Sequence, residues 1–284
     1  MVKFKEIKKR INAVKGIRKT TSAMKLVSSA KLRKAEGVIS NMRPYSEGLQ
    51  HILESLLTDD YANPLSHVRP IEKVAIVAFS SDSSLCGAFN ANIYRELQKT
   101  INHYSQTLPK ENIAVYTIGK KVYDSIRKTN ITVTQNFENL AGKADYNTVA
   151  RFAASLITQF EKKQTDCVIL IYHRFKSAGA QTLVNEQLLP VRLPQLNDQK
   201  NATNYILEPS RPALLDKLIP KSIKIQLYTA LLGSNASEHA ARMMAMQTAT
   251  DNADELIDDL TLEYNKSRQY AITNELLDLA NGNR

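Results

Sequence analysis

Phe4-KEIKKRINAVKGIRKTTSAMKLVSSAKLRKA-Glu36 is the stretch on which the fold turns. Ile7, Ile11, Val14, Ile17, Thr21, Met24 and Val27 recur in it at steps of three and four, with Lys and Arg on the remaining faces. The pattern predicts a helix from Phe4 to about Leu57. At 1.5 Å rise per residue, roughly 50 residues make a rod of about 75–80 Å. Pro44 is expected to kink it or end its straight part. Propensity alone does not hold so long a helix; it needs a partner. The other end of the chain supplies one. Ala236, Ala240, Met243, Gln247 and Thr250 step by four and three, and after one slip Ala253, Ile257, Leu260, Tyr264, Ser267 and Ala271 continue. Pro209, Pro212 and Pro220 mark the entry, and Asn281-Gly282-Asn283 marks the stop. The seam is rich in Ala, Thr, Ser and Met, which lets helices approach closely but buries little apolar area per layer. The pairing is therefore expected to be of modest stability, its far end dependent on a surrounding partner.

Between these helices the grammar changes. Lys73-VAIVAF-Ser80, Ile113-AVYTI-Gly119 and Cys167-VILIY-His173 are short, apolar and β-branched, as in strands buried on both faces. Helical patterns separate them at Asn90–Tyr104, Lys121–Lys128 and Tyr146–Lys163. Alternation of this kind implies βαβ units and a mostly parallel sheet. Thr182–Pro190 reads as one further strand, a candidate antiparallel edge, and 195–202 as a polar loop. The expected fold is α/β: a long antiparallel coiled coil of the terminal helices with a small α/β domain inserted. Its divisions are 1–57, 58–208 and 209–284.

Composition narrows the function. The 284 residues are 43% hydrophobic and 23% charged, ordinary values for a globular chain, and no apolar run approaches a membrane span. Cys86 and Cys167 are too few and too far apart for a disulfide framework or a zinc set. The net charge of +10 is uneven: residues 1–43 hold 13 Lys and Arg against 2 Glu, residues 234–284 hold 4 against 9 acidic groups. Met1–Met42 has no secretory apolar core, and a mitochondrial presequence would not sustain heptads, so a bacterial cytoplasm is expected.

Catalytic motifs are missing. No two glycines stand one residue apart, which excludes GxGxxG; Ala114 and Phe137 occupy the glycine positions a P-loop would need before Gly119-Lys120 and Gly142-Lys143. HExxH and GxSxG are absent, and His173 at a strand end reads as structural or surface. The loop Ser80–Gly87 lies where α/β proteins hold ligands, and Asp82 with Ser84 could begin a magnesium site. The alternative is a turn whose Ser and Asp cap the next helix. No catalytic, cofactor or metal residue is assigned. The basic first helix would suit phosphate binding, as a helical-hairpin nucleic-acid binder. Against that, Phe4 is the one aromatic residue among the first 43, and the charge rings the helix instead of making a stripe. A solvated polar face is the plainest alternative.

The terminal blocks Phe4–Glu36 and Ala236-SEHAARMMAMQTATDNADELIDDLTLEYNKSRQYAITNEL-Leu277 closely resemble the two ends of the gamma-subunit family of F-type ATP synthases. Ser81-DSSLCGAFNAN-Ile93 and Tyr205-ILEPS-Arg211 resemble that family's loop and pre-helix segments. The resemblance implies a non-catalytic rotor shaft, one copy per complex, whose helices turn inside the alpha3beta3 hexamer. Its foot would meet the epsilon subunit and the c-ring of Fo, peripherally on the cytoplasmic face of the inner membrane. It also implies a collar of Lys8, Lys9, Arg10, Arg18, Lys19, Lys25 and Lys31 toward acidic beta-subunit loops. By motif match, Met24, Arg242, Arg268, Gln269, Thr273 and Glu275 fall where the family couples rotation to catalysis. The chain departs from the family at the loop, usually SDRGLCGG, where Ser83-Ser84 and Ala88 stand here. The cysteine-bearing insert of chloroplast relatives is absent, and Cys86 and Cys167 are expected to be small buried residues. The rivals are the nucleic-acid-binding hairpin and a small-ligand enzyme using Asp82.

Overall fold

The computed structural model describes residues 2–56, 63–129, 131–191, 207, 208 and 210–281, without the side chains of 2, 3, 275 and 278–281. The expected loop at 195–202, Pro209 and the stop at Gly282-Asn283 lie outside the described residues. Among the described residues five α-helices and five strands follow one another, alternating up to the β4–β5 hairpin: α1 Val2–Leu56, β1 Val74–Phe79, α2 Phe89–Ser105, β2 Ile113–Ile118, α3 Lys120–Ile126, β3 Val133–Phe137, α4 Tyr146–Glu161, β4 Cys167–Ser177, β5 Ala180–Leu189 and α5 Arg211–Asn281. The chain forms two compact units, Met1–Ala30 with Arg242–Arg284, and Lys31–Ala241.

The second unit is built on one sheet of order β3-β2-β1-β4-β5. β1 pairs in parallel with β2 and β4, β2 in parallel with β3, and β5 closes the far edge antiparallel to β4. Every residue of β1 is buried, as its unbroken apolar run requires of a strand covered on both faces. Alternate residues divide between two cores. Ile76, Ala78, Val115 and Ile171 face Ile93 and Leu97 of α2 and Val122 and Ile126 of α3. Val77, Phe79, Ile118 and Leu170 face Phe152, Leu156 and Phe160 of α4, with Leu56 of α1 and Ile219 and Ile223 of α5. The entry to β1 is tied to β4: Asp166 accepts from the backbone N–H groups of Glu72 and Lys73 at 3.0 and 2.9 Å and from Arg69 Nε at 2.5 Å. Burial pushes the Asp166 carboxyl up, but these donors outweigh it and hold the group below the usual range.

In the first unit α1 and α5 run antiparallel. Phe4 stacks on Tyr264 with ring centroids 4.8 Å apart, Ile7 and Ile11 bury against Leu260, Arg18 pairs with Asp254, and Thr21 Oγ1 lies 2.8 Å from Thr250 Oγ1. Rising numbers on one helix thus meet falling numbers on the other. From Ala253 to Ala271 every expected seam residue of α5 is buried or half-buried.

Three expectations are corrected. Ile17 and Val27, assigned to the seam of α1, are 55% and 56% exposed. Burial recurs instead at Ile7, Ile11, Val14, Thr21 and Ser28, a strict heptad that passes the polar Arg18 and half-buried Lys25 where an apolar reading slips by one residue. Pro220, expected at the entry of α5, lies inside it, as Pro44 lies inside α1. An interior proline costs about 3 kcal/mol. Burial of Leu49 and Leu56 after Pro44, and of Ile219 and Ile223 around Pro220, offsets that cost. The third is an omission: β3 is an edge strand of sequence VTQNF, mostly exposed, and carries no apolar run by which to find it.

Candidate functional site

The β1–α2 loop is held by its own side chains. Asn90, in the first turn of α2, reaches back: its Oδ1 accepts from Ser81 N at 3.1 Å, and its Nδ2 donates to Ser81 Oγ at 2.8 Å. Ser81 Oγ donates to Ser83 O at 2.6 Å. Through Asn90 the helix fastens the loop, and Ala88 at the N-cap of α2 supplies no side-chain cap. Asp82 Oδ2 accepts from Gly142 N at 3.1 Å, joining the loop to the one that follows β3. No group of three His, Cys, Asp or Glu residues able to hold a metal ion occurs among the described residues.

β1 and β4 are where the strand order switches direction, and in open α/β sheets the crevice outside such strand ends is the usual ligand site. Here α5 occupies it. Ser237 Oγ donates to His173 O at 3.2 Å, Asn235 Nδ2 donates to Ala141 O, and Gly233 packs on His173 and Phe175. His173, 5% exposed, stacks on Phe89 at 4.5 Å. It is structural, as expected, although β4 runs on past it to Ser177.

Burial pushes the His173 imidazole down to about 4, because a charged ring there would lose its water. A depressed histidine binds its proton more readily unfolded, so its contribution to stability is lost as pH falls from about 6.5 toward 4. Between pH 7 and pH 5 this group should cost about 2 kcal/mol. His173→Gln should flatten that part of the pH dependence in urea melts; equal slopes in both proteins would count against it.

A cavity of about 410 Å³ between α1, α5 and the β4–β5 hairpin offers no acid–base pair. Its carboxylate, Glu186, is engaged by Arg174 at 2.6 Å and by the Tyr172 hydroxyl at 2.8 Å. Burial pushes that hydroxyl up to about 12.

The residues expected to couple rotation are spread along the helices. Lys8, Lys9, Arg10, Lys19 and Lys31 are exposed, as are Arg268, Gln269 and Thr273; Met24 and Lys25 are half-buried. Arg18 is exposed but ion-paired with Asp254, and Arg242 is buried at 7% exposure. The Glu275 side chain lies outside the described residues. Sequence reading missed the α5 residues that enter the crevice. One signal was there: Gly233 is the one glycine between Arg211 and Asn281.

The family model described as ATP synthase matches residues 3–284. The ATP synthase gamma chain of a Bacteroides fragilis strain is 48% identical over 288 residues, covering 99% of both chains. That of Bacteroides thetaiotaomicron is 46% identical, again over 99% of each. Among solved structures, a chain of the Euglena gracilis mitochondrial ATP synthase, in its OSCP/F1/c-ring assembly, superposes with a TM-score of 0.70 at 20% identity, covering 99% of this chain and 93% of that one. At that identity the likeness speaks for the fold. The sequence matches go further: this chain belongs to the gamma-chain family of ATP synthase, the non-catalytic central-stalk subunits of that complex.

Proposed function

We propose that the chain is the rotor shaft that couples ion flow through a membrane c-ring to ATP synthesis or hydrolysis on alpha and beta subunits. The observation that carries this reading is the outer surface of the first unit. Ile17, Leu26, Val27, Leu256, Leu262 and Ile272 are all at least 46% exposed on a helix pair whose own seam is thin. Apolar surface on that scale, interleaved with Lys8, Lys9, Arg10 and Lys19, suits a helix pair that works inside a sleeve. The sleeve is the alpha3beta3 hexamer. A turning shaft presents different faces to successive beta subunits, and those differential contacts bias each site between open and closed states. Residues 1–57 and 209–284 form the shaft, and 58–208 the foot that meets epsilon and the c-ring. One copy serves each complex. No helix among the described residues is long and apolar enough to cross a membrane, in keeping with a peripheral place on the cytoplasmic face of the inner membrane. Met24, Arg242, Arg268, Gln269, Thr273, Glu275 and the basic collar are the coupling contacts. Exposed collar charges are individually weak, which suits surfaces that must slide.

A tagged chain drawn from gently washed host membranes should bring ATPase activity with it in a large complex. Elution alone, or with nucleic acid, would overturn the shaft reading. In the same preparation Met24→Lys, half-buried in the wild type, should cut pumping per ATP hydrolysed by severalfold. A strictly proportional loss of hydrolysis and pumping would remove Met24 from the coupling set.

A further inference from the structure

We propose that the α5 turn at residues 233–237 is the grip by which the foot turns the shaft helix, a positioning device that rests on the rotor reading above. A torque applied at the foot must enter α5 somewhere. A helix held on a sheet by an apolar stripe alone resists lifting well and twisting poorly, because apolar contact is not directional. Hydrogen bonds fix an azimuth, and at this turn α5 makes two of them to backbone carbonyls, one in the sheet and one in a loop beside it. Ser237 Oγ donates to His173 O in β4 at 3.2 Å. Asn235 Nδ2 donates to Ala141 O in the loop after β3.

Both acceptors are themselves braced. Asp82 holds the neighbouring Gly142 N at 3.1 Å, and Phe89 of α2 stacks on the His173 ring. Ser234, Ala236, Ser237 and Ala240 are all buried, at 4% exposure or less. At Gly233 a Cβ would stand 3.7 Å from His173 O and Phe175 N, in ordinary contact, so the helix backbone lies directly on the strand. The crevice that other α/β proteins give to a ligand is thus given to the drive helix.

The test uses the assembled complex in inverted membrane vesicles, reading ATP hydrolysis and ATP-driven pumping together. Ser237→Ala combined with Asn235→Cys and Ala141→Cys removes both hydrogen bonds and puts a thiol on each side of the second. Under reductant this variant should hydrolyse ATP near the wild-type rate, while pumping per ATP falls about fivefold, the effect of about 1 kcal/mol of lost restraint. Oxidation with diamide, which takes one hydrogen from each thiol as the S–S bond forms, should restore the wild-type ratio. Native Cys86 and Cys167 are buried and do not compete. A merely structural role would change the yield of complex but not this ratio. An unchanged ratio under reductant, or no recovery once loss of free thiols shows that the disulfide has formed, overturns the grip; if it does not form, the ratio under reductant decides. If the triple variant does not assemble, Ser237→Ala alone decides, with a smaller fall expected and an unchanged ratio again overturning the proposal. Absence of ATPase activity with the wild-type chain would instead sink the rotor reading itself.

Discussion

Gly119→Val should yield no folded second unit and no assembled complex. Gly119 joins β2 to α3 at φ +94°, a region that L side chains rarely adopt. A Cβ there would fall 2.3 Å from Ser80 O and 2.7 Å from Ser80 C, well inside contact distance and against backbone. Ser80 cannot give way. Its N–H donates to Ile118 O at 2.7 Å, Gly119 N donates to Phe137 O at 3.1 Å, and Lys121 N donates to Ser81 O at 3.0 Å. These bonds fasten the ends of β1, β2 and β3 to one another. Relieving the clash means undoing them, and with the backbone strain the loss should exceed about 4 kcal/mol, a large share of a domain's total. Gly142→Ala is the control. Its Cβ would meet Asp82 Oδ2 at 3.3 Å, the end of a side chain that can shift, and about 1 kcal/mol should suffice. Soluble yield and urea midpoint distinguish the two. A soluble Gly119→Val chain melting like the wild type would refute the clash.

The strands that could be read from sequence were the ones whose residues face apolar layers on both sides. β1, β2 and β4 announce themselves by composition, and β5 by its place after them. β3 does not, since an edge strand satisfies its backbone on one side and leaves its side chains to water. The α1 seam failed for a related reason. A heptad is a constraint on geometry, and where Arg18 and Lys25 take its positions no count of apolar residues can follow it. The α5 seam, with Ala253, Ile257, Leu260 and Tyr264 in register, has no such interruption.

The site was less legible than the fold. The terminal blocks pointed to the family because a long specific pattern needs no geometry to be recognised. What fills the crevice depends on where α5 lies in space, and Ser237 and Asn235 are unremarkable in a helix until their acceptors are known. The loop at Asp82 looked like a ligand site because its position is one. Its polar groups face each other and the next loop, through Ser81, Asn90 and Gly142.

Ile11→Asp should open the helix pair of the first unit while leaving the second folded. Ile7, Ile11 and Leu260 are the buried apolar cluster of that unit, with Val14 and Tyr264 only partly covered. Removing one of three such residues and placing a carboxylate there should cost about 3 kcal/mol or more, from lost transfer energy and from burial of a charge. The register set by Phe4–Tyr264 and Arg18–Asp254 points the new carboxylate at an acidic stretch holding Asp258, Asp259 and Glu263, which adds repulsion. Amides of α1 and α5 in the first unit should then exchange about 100-fold faster, and those of β1 and β4 at the wild-type rate. ATP synthesis should fall at least about tenfold, because a shaft whose helices separate cannot hold one face toward one catalytic site of the complex. Arg18→Ala sets the scale. That ion pair is about half exposed on both sides, and its loss should amount to less than about 1 kcal/mol. Should Arg18→Ala loosen the pair more than Ile11→Asp does, the apolar layer is not what holds the shaft closed, and the polar positions of the heptad are.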